Sequence, residues 1–133
     1  MKLDHAQINQ LVENYFPGLV GFEFTHVEAG SAECHVDIHE GLHNPGGILH
    51  GGVPYAMADT SMAMALLASL DEGQNCATIE IKITYMKAVV EGKITCVSRV
   101  LKQGKRIAML ESEIRDETDL IAKASGSFYI STA

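Results

Sequence analysis

One segment of the chain is apolar on nearly every side, and it restricts the possible folds more than any other feature. Residues 53–70 are rich in alanine, methionine and leucine, which favour helix, and Pro54 suits a first helical turn. The segment is short for a membrane span and contains Asp59. The pattern therefore predicts a helix that is buried on most faces, which the rest of the chain must enclose.

One further helix and six strands are predicted around this apolar helix. Residues 4–16 have apolar side chains at helical spacing, with Asp4 as the cap and Pro17-Gly18 as the end. The strands alternate apolar and polar residues and are separated by turn signals such as Ala29-Gly30. The predicted strands are residues 22–28, 31–39, 78–86, 93–101, 106–115 and 120–130.

The order of these elements predicts an α+β fold in which an antiparallel sheet curls round the apolar helix. No repeat, linker or low-complexity tract divides the 133 residues. We therefore expect one domain over residues 1–133, with an N-terminal helix within 1–17 and a core over 18–133. Such a sheet covers only part of the helix and keeps open edges, so we also expect copies of the chain to associate.

Charge and cysteine content limit the possible partners. The chain has 10 Lys+Arg against 17 Asp+Glu and a net charge of −7, which argues against binding to nucleic acid or to a membrane surface. Its three cysteines, Cys34, Cys76 and Cys96, are an odd number, and the N-terminal residues lack the apolar core of a signal peptide. We expect reduced thiols and a cytoplasmic location.

A metal-binding motif occurs in an unsuitable local context. His39-Glu40-Gly41-Leu42-His43 matches H-E-x-x-H, which binds zinc only when a helix brings both imidazoles onto one face. Gly41 and the Asn-Pro-Gly-Gly run that follows oppose a helix. We therefore expect no metal site, and nothing in the sequence indicates a bound cofactor.

A glycine-rich loop over residues 41–52 opens directly into the apolar helix. Amides near Gly51 and Gly52 have no acceptor inside the helix, so they can bind an oxygen that gains negative charge or a substrate carbonyl. A plain tight turn is the simpler interpretation of these glycines. His50 either polarises a substrate or braces the loop, and Asn44 either contacts a substrate carbonyl or is a turn residue.

Asp59 is the strongest candidate for a reacting group. A carboxylate inside an apolar helix costs several kcal/mol, roughly, unless it is paired or used in chemistry. The alternative is an exposed polar stripe that Asp59 shares with Thr60 and Ser61. Thr78 lies on the polar face of strand 78–86, opposite Ile81, where its hydroxyl either orients a water molecule or has no role.

The remaining candidates have weaker signals. Lys102, Lys105 and Arg106 surround a hairpin turn and form either a solvated tip or a phosphate site. Cys76 has no pattern of histidine and aspartate partners around it, so a cysteine nucleophile has little support.

Together these residues resemble the hotdog-fold acyl-CoA thioesterases of the phenylacetic-acid-degradation type. The resemblance lies in the spacing Asn44-x5-His50-Gly51-Gly52-x6-Asp59. Residues 83–86 and 100–105 are similar to the vertebrate thioesterase-superfamily member 2 branch. In all, the resemblance spans roughly residues 20–130.

The resemblance implies hydrolysis of an acyl-CoA to free CoA and a carboxylic acid, without metal or bound cofactor. The Gly51 amide, with help from Asn44, would hold the thioester carbonyl oxygen, and His50 would support the loop. Asp59 would act as general base or nucleophile, and Thr78 stands where some relatives have a serine that positions water. Homodimers with sites shared between chains, often paired into homotetramers, are also implied. The alternative function is a non-catalytic acyl-CoA-binding or regulatory hotdog domain.

Overall fold

The computed structural model describes residues 3–132, which form three α-helices and six strands. The helices are α1 (His5–Val12), α2 (Phe16–Val20) and α3 (Gly52–Leu67). The strands are β1 (Glu23–Glu28), β2 (Ser31–Asp37), β3 (Gln74–Tyr85), β4 (Lys93–Gln103), β5 (Ile107–Arg115) and β6 (Leu120–Thr132).

All six strands belong to one antiparallel sheet in the order β1-β2-β4-β5-β6-β3, and α3 packs against one face of it. This arrangement confirms the predicted hotdog fold. The core forms where alternate residues of β4, β5 and β6 meet α3, and it includes the fully buried Met57, Met62, Leu110 and Phe128. No helix within residues 3–132 is long and apolar enough to cross a membrane.

One side of α3 is left partly uncovered. Ala56, Asp59, Thr60 and Ala63 are half-buried, and their spacing places them on one stripe of the helix. The prediction of burial on most faces therefore holds for the sheet-facing side of α3. A stripe of this kind is suited to contact with a second apolar surface.

The N-terminal helix begins as predicted but ends before the predicted residue 16. Asp4 caps α1, because its side chain accepts the Gln7 N–H at 2.8 Å and the Gln7 side chain accepts the Asp4 N–H at 2.9 Å. However, α1 ends at Val12, and Pro17 lies in the first turn of α2 instead of ending the first helix. Proline is tolerated there because a first-turn amide has no acceptor within its helix.

The two edges of the sheet differ in how well they are covered. Asn9 of α1 protects β1, since its Nδ2 donates to the Phe24 carbonyl at 2.9 Å and its Oδ1 accepts the Phe24 N–H at 2.6 Å. The other edge strand, β3, has twelve residues and pairs only with β6 within the described range. A long open edge is a template for pairing with another strand.

A β-bulge in β3 decides where Thr78 points. Thr78 pairs with Phe128 and Ile81 with Gly126, and both partners lie on the buried, helix-facing side of β6. Strict alternation places Thr78 and Ile81 on opposite faces, but the register shifts between Thr78 and Glu80. The predicted face of Thr78 was therefore wrong, because the bulge adds one residue and turns this side chain toward α3.

Candidate active site

The first half of the candidate site lies at the start of α3. Gly51 is the N-cap residue, with φ −59° and ψ −20°, and no group within residues 3–132 accepts a hydrogen bond from its N–H. It lines a cavity of about 400 Å³ together with Asn44, Pro54 and Tyr85. A free amide at the positive end of a helix is suited to bind an oxygen with developing negative charge.

His50 braces this loop from within. Its Nδ1 accepts the Gly52 N–H at 2.8 Å, so a neutral ring carries its proton on Nε2. A Cβ atom at Gly52 would lie 2.9 Å from the His50 ring, which explains glycine at that position. The Gly52 amide is thus engaged inside the loop and Gly51 keeps the free amide. A role for Gly52 in substrate binding stays a prediction.

Asn44 forms a turn, which is one of the two roles that the sequence allows. Its Oδ1 accepts the Gly46 N–H at 2.8 Å and the Ile48 N–H at 3.5 Å. Its Nδ2 has no acceptor among the described residues, although Asn44 lines the same cavity as Gly51. The oxygen therefore holds the loop, and the amide nitrogen is available as a donor.

The second half of the candidate site lies in the middle of α3. The Thr78 hydroxyl donates to Asp59 Oδ1 at 2.6 Å, and the bulge in β3 makes this contact possible. Asp59 is half-buried, whereas Ser61 is fully buried and donates to the Ala32 carbonyl at 3.4 Å. Ser61 therefore faces the core and does not belong to an exposed stripe, whereas Thr60 is half-buried beside Asp59 on the partly uncovered side of α3.

Cys76 lies on β3 close to Asp59. Burial, and to a smaller extent the negative charge of Asp59, raises the pKa of the Cys76 thiol above its ordinary value. A thiol that stays protonated is a poor nucleophile. The electrostatics therefore leave the carboxylate, and not the thiol, as the candidate reacting group.

Within each half of the candidate site the predicted residues lie close together, but the two halves of one chain lie far apart. Asp59 follows Gly51 by eight residues, which is about 12 Å along a helix at 1.5 Å per residue. Asn44, His50 and Gly51 share one end of α3, and Thr78 joins Asp59 further along.

Three exposed cations lie on or beside the hairpin between β4 and β5: Lys102, Lys105 and Arg106. No acidic side chain within residues 3–132 forms an ion pair with them. Phe128 pairs with both Ala108 and Thr78, so the hairpin is near the Asp59 half of the site. The charges are therefore free for a ligand at that end of the sheet.

The sequence did not predict the contact between Tyr85 and Gly51. The Tyr85 hydroxyl donates to the Gly51 carbonyl oxygen at 2.6 Å across 34 positions of sequence. Burial raises the pKa of Tyr85 above its ordinary value, so the hydroxyl remains a donor. The only sequence signal is its place at the end of a strand, and no spacing rule connects it to the loop.

The sequence profile of the thioesterase superfamily matches residues 46–123, a stretch that contains His50, Gly51, Asp59 and Thr78. The chain belongs to the thioesterase superfamily. Members of this superfamily are generally oligomeric and act on CoA thioesters.

Individual relatives agree with this assignment. The proofreading thioesterase EntH of Klebsiella pneumoniae is 32% identical over 116 residues, which are 87% of this chain and 85% of EntH. The 1,4-dihydroxy-2-naphthoyl-CoA hydrolase of Listeria monocytogenes is 28% identical over 100 residues, 75% of this chain and 81% of the hydrolase. A Haemophilus influenzae thioesterase structure shows the same fold, with a TM-score of 0.94 at 24% identity, covering 99% of this chain and 93% of that chain. This thioesterase-superfamily chain is a thioester hydrolase, as predicted.

Proposed function

We propose that this thioesterase hydrolyses an acyl-CoA to free CoA and a carboxylic acid, at sites that two copies of the chain build together. Asp59 is the general base or the nucleophile, the Gly51 amide is the oxyanion donor, and Asn44 and His50 support it. The observation that best supports this proposal is that Thr78 donates a hydrogen bond to the Asp59 carboxylate, while the Gly51 amide at the start of the same helix is free to donate. Aspartate at the spacing Asn…His-Gly-Gly…Asp supports the phenylacetic-acid-degradation type.

The geometry supports a short reaction sequence. The thioester carbonyl oxygen binds at the Gly51 amide, and Asp59 either takes a proton from the attacking water or attacks the carbonyl carbon itself. Both routes place negative charge on the carbonyl oxygen, which the amide and the positive end of α3 stabilise. The Thr78 hydroxyl occupies one oxygen of Asp59, which orients the other toward the reacting group. Collapse of the intermediate expels CoA as its thiolate. On the general-base route this gives the carboxylic acid directly, whereas on the nucleophile route it leaves an anhydride on Asp59, which water then hydrolyses to the carboxylic acid and free Asp59.

The distance within one chain supports sites that are shared between chains. A carbonyl bound at Gly51 is about 12 Å from the helix position of Asp59, whereas attack needs about 3–3.5 Å. The two halves contact the open strand at different points, Asp59 through Thr78, the fifth of its twelve residues, and Gly51 through Tyr85, its last residue. Antiparallel pairing of two β3 strands about a twofold axis brings the Thr78 part of one beside the Tyr85 end of its partner.

The surface of the single chain also supports an oligomer. The half-buried stripe of α3 lies on the same side as β3, because Asp59 of that stripe contacts Thr78. On the outer face of the sheet, Ile107, Met109 and Tyr129 are exposed and adjacent, since Ile107 pairs with Tyr129. We infer a homodimer through β3 and α3, and the outer patch supports pairing of dimers into a homotetramer.

The cysteines support the proposal of a cytoplasmic location. Cys34 and Cys96 face each other across β2 and β4 on the buried side of the sheet, and both are free thiols. Cys76 is also a free thiol. Thiols that remain reduced are typical of a reducing compartment.

Release of free thiol from a panel of acyl-CoAs with short, long and aromatic acyl groups tests the proposed function. We expect the wild-type chain to release thiol from at least one of them and the Asp59→Asn variant to bind the same substrate but release thiol about 10² to 10⁴ times more slowly. Binding of acyl-CoA by the wild type without thiol release would contradict the proposal and favour a non-catalytic binding domain.

A further inference from the structure

The Gly51 carbonyl oxygen has two donors from different elements. The Tyr55 N–H donates to it at 3.2 Å as the first hydrogen bond of α3, and the Tyr85 hydroxyl donates to it at 2.6 Å from the end of β3. The Tyr85 ring also packs on this residue, because a Cβ atom at Gly51 would lie 3.2 Å from Tyr85 Cζ and Oη. Tyr85 therefore fixes Gly51 by a hydrogen bond and by contact.

An anchor of this kind matters for an amide that has no partner of its own. Glycine is the most mobile residue of the backbone, and no described group holds the Gly51 N–H. On the other side, His50 holds the loop through its Nδ1 contact with Gly52. The direction of the Gly51 N–H consequently depends on its neighbours in the loop and on the group that holds its carbonyl.

We propose that Tyr85 is a positioning residue for the oxyanion donor: its hydroxyl holds the Gly51 residue from the sheet and thereby aims the Gly51 N–H into the cavity that Gly51 and Tyr85 both line. This inference rests on the proposed function of the Gly51 amide. An oxyanion donor contributes only when it meets the charge that develops in the transition state. Tyr85 thus affects the chemical step and not the binding of the ground-state thioester.

Tyr55 provides a matched comparison. Its hydroxyl donates to the Ile81 carbonyl oxygen at 3.2 Å, so this hydroxyl too joins α3 to β3, but its hydrogen bond goes to the strand and not to the Gly51 carbonyl. Loss of either hydroxyl removes one exposed hydrogen bond, between α3 and β3 for Tyr55 and between β3 and the N-cap residue of α3 for Tyr85. A purely structural role therefore predicts equal effects of the two substitutions.

The test compares Tyr85→Phe with Tyr55→Phe in the full-length oligomer. We expect Tyr85→Phe to lower kcat about tenfold with KM within twofold of the wild type, whereas Tyr55→Phe changes neither by more than about twofold. We expect both variants to lower Tm by a similar, small amount. Equal loss of kcat in the two variants, or a change in KM alone for Tyr85→Phe, would overturn the inference.

A second measurement is independent of activity. The ¹⁵N order parameter of the Gly51 amide should fall in Tyr85→Phe and stay at the wild-type value in Tyr55→Phe, because only the first loses its anchor. An unchanged order parameter in Tyr85→Phe would contradict the positioning role even if kcat fell. If the wild type releases no thiol from any acyl-CoA, the proposed function fails, and the order parameter still decides whether Tyr85 fixes the amide.

Discussion

The start and the middle of α3 hold their functional groups by different means. At the start, a backbone amide is free because the helix begins there. Asn44 and His50 hold the loop around it through contacts inside the loop, and Tyr85 holds the Gly51 carbonyl from the sheet. In the middle, a single side chain, Asp59, accepts a hydrogen bond from Thr78 on the edge strand. The first half depends on the geometry of a loop, and the second depends on the register of a sheet.

The two halves also differ in charge. The start of α3 has a partial positive charge of about half an elementary charge, and the middle has a carboxylate in a largely apolar helix. One half therefore offers a donor for an oxyanion without a base, and the other offers a base without a donor. Each half is incomplete alone, which is why the proposed reaction requires a second copy of the chain.

The largest expected effect comes from removing the base. Asp59→Asn keeps the size of the side chain and an oxygen that can accept from Thr78, but the amide neither takes a proton from water nor attacks a thioester. We expect kcat to fall by about 10² to 10⁴, with acyl-CoA binding and Tm close to the wild type. A variant with nearly wild-type kcat would show that the middle of α3 does not take part in the reaction.

A smaller effect is expected from the partner of Asp59. Thr78→Val removes the hydroxyl that donates to Asp59 Oδ1 and keeps the branched shape, so we expect kcat to fall about tenfold. Thr78→Ser keeps the hydroxyl and serves as the control, with kcat within about threefold of the wild type. If valine and serine behave alike, the hydroxyl has no part in orienting the carboxylate.

The smallest effect concerns substrate binding at the hairpin. Combined replacement of Lys102, Lys105 and Arg106 by alanine should raise KM for an acyl-CoA by about three- to tenfold, because three free cations no longer attract the phosphates of CoA. The same acyl group on pantetheine has no nucleotide phosphates, and its KM should not change. An equal increase for both substrates would exclude a phosphate site at this hairpin.

Local patterns were sufficient for most of the fold and for the groups that lie near each other in sequence. The apolar helix, the alternating strands and the loop from Asn44 to Gly52 each follow from short stretches of sequence. The H-E-x-x-H segment is also not α-helical, as predicted: Glu40–Leu42 form a 3-10 turn that His39 caps through Nδ1. No cluster of metal-ligating side chains occurs between residues 3 and 132.

Contacts that depend on distant residues were not predictable. The bulge that turns Thr78 toward Asp59 arises from the register of β3 against β6, which alternation within one strand does not report. The contact between Tyr85 and Gly51 joins a strand end to a loop, and it exists only once the sheet has formed. Pro17 lies in the first turn of α2 and does not end the first helix; proline suits both positions, so its residue type alone could not distinguish them.

The central claim is that each site takes its Gly51 half from one chain and its Asp59 half from another. Subunit exchange tests it most directly. Homodimers of Asp59→Asn and of Asn44→Ala, each first shown to be folded and inactive, are mixed in equal amounts, and heterodimers are confirmed by mass spectrometry. A shared site predicts that every heterodimer contains one site with both substitutions and one intact site.

Random exchange should then restore about a quarter of the wild-type activity, because half of the dimers are mixed and each has one working site of two. If Asn44 and Asp59 serve the same site within one chain, every site keeps one substitution. Heterodimers that form but recover no activity would contradict the shared site.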